Sequence, residues 1–83
     1  MIENLITAEE REHLIVGFKQ VLKAKNNGSC SKIFLAMDAS SSIIDALSQN
    51  SNGISVVEVP TMRELGNACE IDVSASCAAI IRL

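Results

Sequence analysis

Aromatic residues are nearly absent from this chain, which contains Phe18, Phe34 and neither Tyr nor Trp. An interior built from it must be aliphatic, and 48% of its 83 residues are hydrophobic. Such a composition suits strands that are buried on both faces and covered by helices. The length is that of one domain, so we expect a single domain over residues 1–83, with residues 1–7 as a short N-terminal extension.

Long apolar runs are also missing. No stretch approaches the roughly 20 residues that a membrane-spanning helix needs, and residues 1–4 lack the basic segment and apolar run of a signal peptide. Cys30, Cys69 and Cys77 are an odd number of cysteines without the close spacing of a disulfide framework or a zinc site. We therefore expect a cytoplasmic protein with reduced cysteines, no bound metal and no membrane partner.

Signals of catalysis are equally scarce. His13 is the single histidine, and no motif surrounds any cysteine. Lys32 and the serines at 40–42 do not follow a glycine-rich loop, so the chain lacks a nucleotide-phosphate motif. Cys30 falls in a predicted turn, where an unreactive free thiol is favoured over a reactive one. The chain is expected to be neither an enzyme nor a cofactor-binding protein, and a small enzyme is the most distant of the alternatives.

An excess of basic residues, which nucleic-acid-binding domains usually have, is missing as well. Seven basic residues stand against ten acidic ones, and the formal net charge is −3. The distribution is uneven, because four glutamates lie in the first twelve residues, whereas Lys19, Lys23 and Lys25 form a local basic cluster. A local patch of this kind can bind phosphate, but weakly and with a modest dependence on salt.

Helical and strand patterns alternate along the chain. Helices are predicted over residues 8–16, 17–25, 40–47 and 61–69, and strands over residues 32–37, 54–59 and 77–82. This alternation favours an α/β fold, a three-layer α/β/α sandwich with a small mixed sheet of four strands. Neither residues 5–7 nor residues 29–31 have a clear strand pattern, so the position of the fourth strand is open.

The helix that starts at Gly17 has a polar face. At 100° per residue its apolar side chains share one stripe, and Lys19, Gln20 and Lys23 fall on the opposite side. A glycine at a helix start allows another backbone to approach, and the free N–H groups there favour phosphate. Gln20 offers both a donor and an acceptor to a base edge, and the lysines donate only. The residues alone leave two interpretations open, a nucleic-acid contact and the commoner solvated face of an amphipathic helix.

Residues 17–23, Gly-Phe-Lys-Gln-Val-Leu-Lys, resemble the signature of the ribosomal proteins that bind kink-turns in RNA. The similarity is to the seven-Ae and thirty-e branches and their bacterial relatives, especially the thirty-e branch, and extends from about residue 14 to residue 81. The seven-Ae branch usually has Gly-x-Asn-Glu here, so Lys19-Gln20 is a variant of the motif. The resemblance implies that Lys19 and Gln20 contact the base edges of tandem G·A pairs, Gly17 contacts them through its backbone, and Lys23 contacts a phosphate.

Two further segments resemble the same family. Residues 36–39 are similar to the end of its first strand, although relatives often have a charged residue where Met37 stands. Asp38 has two interpretations, an ordinary turn residue and a residue that positions the RNA-facing loop. Residues 64–69 are similar to the family's short helix, in which we expect Leu65 to pack inward and Gly66 to permit close contact between helix and sheet.

Residues 71–75 resemble the loop on which family members rest an extruded base. The resemblance implies RNA contacts from Ile71, Val73, Ser74 and Ala75. Of the two larger apolar residues, Val73 is favoured as the exposed platform and Ile71 as a core residue. Asp72 brings a negative charge close to the expected phosphates.

The expected function is therefore non-catalytic binding of structured RNA, by resemblance a kink-turn in ribosomal or regulatory RNA. The ribosome is a candidate assembly, and no DNA, membrane, cofactor or metal is expected as a partner. The alternative is a protein–protein adaptor of the same fold that has lost RNA binding. Net acidity, Met37 and Asp72 favour that alternative.

Overall fold

The structure, a computed structural model, describes residues 6–49 and 53–82. Helices and strands alternate along this part of the chain. In chain order they are α1 (Ala8–Arg11), β1 (Leu14–Val16), α2 (Phe18–Asn26), β2 (Cys30–Ala36), α3 (Ser41–Ser48), β3 (Ser55–Val59), α4 (Met62–Ala68) and β4 (Cys77–Ile81).

The four strands form one mixed sheet in the order β1-β4-β2-β3. β2 and β3 are parallel, and β4 runs antiparallel to both of its neighbours. Successive side chains of a strand point to opposite faces, so the central strands contribute to two cores. Phe34 and Ala78 pack with Leu65 of α4 on one face, and Leu35 and Ala79 pack with residues of α2 and α3 on the other. The predicted three-layer α/β/α architecture is confirmed.

The fourth strand lies where the sequence predicted a helix. Thr7 and Glu10 start α1 with a capping box: the Glu10 N–H donates to Thr7 Oγ1 at 3.0 Å, and the Thr7 N–H donates to Glu10 Oε1 at 3.1 Å. The helix ends at Arg11, however, and not at Val16. Residues 14–16 are Leu-Ile-Val, and they pair with residues 78–80 of β4. The predicted long helix was wrong, because β-branched residues next to an open sheet edge gain more from pairing than from one further helical turn.

Smaller differences from the predicted structure concern the N-terminal extension and Cys30. Of the predicted N-terminal extension, residues 1–5 lie outside the described residues, Ile6 is buried in the core and Thr7 caps α1. Cys30 was predicted in a turn, but it is the first residue of β2 and is buried. Residues 50–52, between the predicted helix 40–47 and the predicted strand 54–59, also lie outside the described residues.

Strand direction brings the sequence motifs to one end of the sheet. Leu35 near the end of β2 is opposite Cys77 at the start of β4, and Val59 at the end of β3 is beside Ala36. Val16 at the end of β1 is opposite Ala78. We call this end of the sheet the Gly17 edge. Because α2, α3 and α4 each follow a strand that ends there, all three helices begin at it.

Candidate nucleic-acid interface

Gly17 links the start of α2 to the segment before β4. Its N–H donates to the Cys77 carbonyl oxygen at 3.2 Å. Its φ of +111° lies in a region that side chains rarely adopt, although a Cβ atom there would meet nothing within 4 Å. The glycine is therefore needed for backbone conformation, not for space. Its bond to Cys77 makes the N-terminus of α2 and the loop that precedes Cys77 neighbours in space.

The polar face of α2 is exposed as predicted. Lys19, Gln20 and Lys23 are all exposed, while Val21 and Ala24 of the same helix are buried. The three polar residues occupy the first two turns, which are the turns nearest to the Gly17 edge. The structure therefore offers two ammonium groups and one amide to a ligand on this side.

Two other lysines of the chain are engaged elsewhere. Lys25 Nζ donates to the Ala46 carbonyl oxygen at 2.9 Å and to the Gln49 carbonyl oxygen, both at the C-terminal end of α3. Lys32 Nζ forms a 2.7 Å ion pair with Glu10 and lies 5.7 Å from the centre of the Phe34 ring. Lys25 therefore does not contribute to the predicted basic cluster, because its ammonium group caps α3 at the other end of the sheet.

Asp38 holds α4 in place. Its Oδ1 accepts a 2.7 Å hydrogen bond from the N–H of Met62, the first residue of α4. The neighbouring Met37 N–H donates to the Val59 carbonyl oxygen at 2.8 Å, and the Met37 side chain is 37% exposed. Of the two interpretations of Asp38, these contacts favour a positioning role, because they join the end of β2 to the start of α4.

The side chains of the 71–75 loop are divided between core and solvent. Ile71 is half-buried against the core, whereas Val73 is 69% exposed and Ser74 is also exposed. This division agrees with the favoured assignment of Val73 as platform and Ile71 as core. Ala75 is only 4% exposed and belongs to the core. Its side chain therefore presents no surface to a ligand, and the predicted contact surface narrows to Val73 and Ser74.

Gly66 lies against the 71–75 loop and not against the sheet. A Cβ atom at Gly66 would be 2.3 Å from the Val73 carbonyl oxygen and 2.9 Å from Ser74 Cα. The expected close approach at this glycine is present, but the segment that approaches is the 71–75 loop and not the sheet that was predicted. The sequence could not identify the partner, because the loop returns along α4 only once the fold is complete.

Sequence reasoning also missed how three helix N-termini converge on one edge. The N-terminus of a helix carries a partial positive charge and free N–H groups. In α4 those groups are used, since Asp38 binds the Met62 N–H and Thr61 Oγ1 accepts from the Glu64 N–H at 3.1 Å. Among the described residues, no N-cap side chain accepts a hydrogen bond from a backbone N–H of α2 or α3. Their positive ends add partial positive charge at this edge.

One further cation lies at the same edge. Arg63, in the first turn of α4, is exposed. No local pattern selects it, because its place at this edge depends on the direction of β3.

Nothing in the described part of the chain has the geometry of a catalytic or metal centre. Cys30, Cys69 and Cys77 are free and buried, and burial raises the pKa of each thiol, which disfavours the reactive thiolate. Residues 6–49 and 53–82 contain no group of His, Cys, Asp and Glu side chains that could hold a metal ion. Within the same residues no helix has the length and apolar character to cross a membrane.

Comparison with known proteins gives consistent results. The model of the ribosomal protein L7Ae/L30e/S12e/Gadd45 family matches residues 1–83. RNA-binding protein GWCH70_0105 of Geobacillus sp. (strain WCH70) is 39% identical over 70 residues, which cover 82% of this chain and 85% of that protein. RNA-binding protein YbxF of Geobacillus stearothermophilus is 34% identical over 71 residues, which cover 83% of this chain and 87% of that protein. The 15.5kD RNA binding protein of Giardia lamblia superposes with a TM-score of 0.71 at 25% identity, over 87% of this chain and 62% of that one.

Proposed function

The chain belongs to the ribosomal protein L7Ae/L30e/S12e/Gadd45 family, and from this premise we propose that it binds structured RNA through the Gly17 edge without catalysing a reaction. The specific ligand that we propose is a kink-turn. The observation that carries the proposal is the exposed set Lys19, Gln20 and Lys23 on the first turns of α2. Relatives named for RNA binding support the same function and agree with the expectation of a protein that is not an enzyme.

The two sides of the edge take different parts of the ligand in this proposal. On the α2 side, Lys19 and Gln20 meet base edges, and Lys23 meets a phosphate beside the free amides that follow Gly17. On the α4 side, Val73 and Ser74 support an unstacked base. Specific recognition of RNA commonly relies on bases that leave the helical stack, and a kink provides such a base beside a groove that a helix can enter.

The electrostatic contribution to this binding is small. Lys25 and Lys32 are engaged within the protein, which leaves Lys19, Lys23 and Arg63 as exposed cations at the edge. Three cations supply little sequence-independent affinity. Recognition therefore depends on base edges and on the shape of the RNA, so straight duplexes are poor ligands.

The alternative function is that of a protein–protein adaptor with the same fold. The net charge of −3 favours the adaptor function. The names of the relatives favour RNA binding instead. A place on the ribosome and a cytoplasmic location belong to the RNA proposal and depend on it.

One titration tests the proposal directly. A labelled simple kink-turn and a straight duplex of matched length and base composition are titrated with the protein at low and at physiological salt. Binding to the kink-turn is expected to persist at physiological salt and that to the duplex to be lost. Equal affinity for the two RNAs, or no affinity for either, would support the adaptor function instead.

A further inference from the structure

Gly66 and the 71–75 loop are in contact through backbone atoms. A Cβ atom at Gly66 would lie 2.3 Å from the Val73 carbonyl oxygen, 2.9 Å from Ser74 Cα and 3.2 Å from the Val73 carbonyl carbon. All three are backbone atoms, so no change of side-chain rotamer relieves the overlap. A side chain at residue 66 requires the loop and α4 to move apart.

The same loop is hydrogen-bonded to α4 near both of its ends. The Ile71 N–H donates to the Gly66 carbonyl oxygen at 3.2 Å, and the Ala75 N–H donates to the Met62 carbonyl oxygen at 3.0 Å. Met62 is in turn held by Asp38. The loop therefore lies along α4, and α4 is fixed to the end of β2.

The side chains in the middle of this loop contribute little to holding it. Val73 is 69% exposed and Ser74 is exposed, so neither gains much from burial in the free protein. The position of Val73 is set by the backbone hydrogen bonds between the loop and α4, and the absence of a side chain at Gly66 leaves room for them.

We infer that Gly66 is a positioning residue for RNA recognition: the absence of a side chain there lets the 71–75 loop lie against α4 and hold Val73 at the Gly17 edge. The inference rests on the proposed function and deepens it. It assigns shape selectivity to the α4 side of the edge, while affinity for phosphate stays with the lysines of α2. Asp38 positions the loop indirectly, because it binds Met62, which in turn binds Ala75 of the loop.

The test is the variant Gly66→Ala, measured against kink-turn and straight-duplex RNA over a range of salt. Affinity for the kink-turn is expected to fall on the order of tenfold, which is what the loss of one buried valine contact is worth. Affinity for the straight duplex and the salt dependence are expected to stay at the wild-type values, because the α2 lysines are untouched. A role confined to stability would not change this ratio of affinities.

Gly28→Ala and Gly53→Ala are the matched controls. Both glycines have positive φ, +69° and +77°, and open space for a Cβ atom, and both lie at the opposite end of the sheet. Each substitution strains the backbone and is expected to lower Tm by roughly 4–8 °C, with kink-turn selectivity retained. Loss of selectivity in these controls equal to that in Gly66→Ala would overturn the inference.

A second pair of variants decides the matter if Gly66→Ala does not fold. Asp38→Ala removes the acceptor for the Met62 N–H, and Asp38→Asn keeps an oxygen there. Selectivity is expected to fall in the first and to be restored in the second. A folded Gly66→Ala, or a folded Asp38→Ala, with full selectivity overturns the inference and leaves the proposed function intact. If the wild-type protein does not prefer the kink-turn to the straight duplex, both the inference and the proposed function are wrong.

Discussion

The two sides of the Gly17 edge are built in different ways. On the α2 side, Lys19, Gln20 and Lys23 stand on consecutive turns of one helix, and the helix alone fixes their spacing. On the α4 side, Val73 stands in a loop whose position depends on contacts with Gly66 and Met62. The first side carries the two exposed lysines, and the second side carries exposed apolar surface. One interface can therefore join a part encoded locally with a part that exists only in the complete fold.

Removal of the base-edge contacts is the largest expected change. The double variant Lys19→Ala/Gln20→Ala should bind the kink-turn more than about tenfold less tightly, since each good bidentate base contact is worth ~1–3 kcal/mol. Its Tm should not change, because both residues are exposed and face away from the core. Affinity from a fluorescence titration and Tm from thermal unfolding are measured on the same sample.

Lys25→Ala is the charge control for that variant. It removes one positive charge from the same helix, but from the end far from the Gly17 edge, where Lys25 caps α3. At physiological salt its affinity per folded molecule should stay within about twofold of wild type, because charges separated by more than ~8 Å are largely screened. An equal loss in Lys25→Ala and in the double variant would mean that net charge, and not base contact, determines binding.

Truncation of Val73 tests the α4 side and should have a smaller effect. Val73→Ala removes two methyl groups from an exposed side chain, so we expect roughly a three- to tenfold loss of kink-turn affinity with an almost unchanged Tm. Ile71→Ala, two positions away and half-buried against the core, should instead lower stability by about 1 kcal/mol or more. A destabilised Val73→Ala protein with intact affinity per folded molecule would assign Val73 to the core and remove the platform.

The same division explains which parts of the molecule could be predicted. Three strands, the N-caps at Thr7 and Thr61, and the polar face of α2 follow from local patterns, and the structure has them. The strand at residues 14–16 could not be found in this way. Its three apolar residues fit a helix equally well until β4, more than sixty residues later, provides a partner.

The site was predictable to a similar extent. The exposure of Lys19 and Gln20 follows from helical period alone. The burial of Ala75 and the partner of Gly66 depend on the path of the loop beside α4, which no local pattern records. The engagement of Lys25 and Lys32 depends likewise on residues from other elements. Residues whose role comes from distant contacts are those for which the prediction needed correction.

The salt dependence of binding sharpens the contrast between the two sides. With Lys25 and Lys32 engaged elsewhere, Lys19, Lys23 and Arg63 are the exposed cations that the described residues place at the edge. The slope of log affinity against log salt should therefore be about −2 to −3. Lys23→Ala should reduce the magnitude of the slope by about 1, and Val73→Ala should leave it unchanged. A wild-type slope near twice the expected value would mean a wider footprint that includes phosphates beyond this edge.

The smallest expected effect concerns the end of the sheet opposite the Gly17 edge, where Lys32 is paired with Glu10. The hydrogen bond from Lys32, followed by that from the Thr7 N–H, lowers the pKa of Glu10 from its ordinary value of 4.5. The folded state therefore favours the carboxylate. The resulting stability is fully present above pH 4.5 and is lost as the pH falls through the lower folded-state pKa.

Glu10→Gln isolates this contribution, because it keeps the size of the side chain and its acceptor oxygen. The pair is partly exposed, so the wild type should be more stable than the variant by about 1 kcal/mol or less at neutral pH. That difference, measured by urea unfolding at several pH values, should shrink as the pH falls below 4.5. Kink-turn affinity at neutral pH should be the same in both proteins, since Glu10 lies at the end of the sheet opposite the start of α2. A change in RNA selectivity in Glu10→Gln would show that the two ends of the sheet are coupled, and that recognition is not confined to the Gly17 edge.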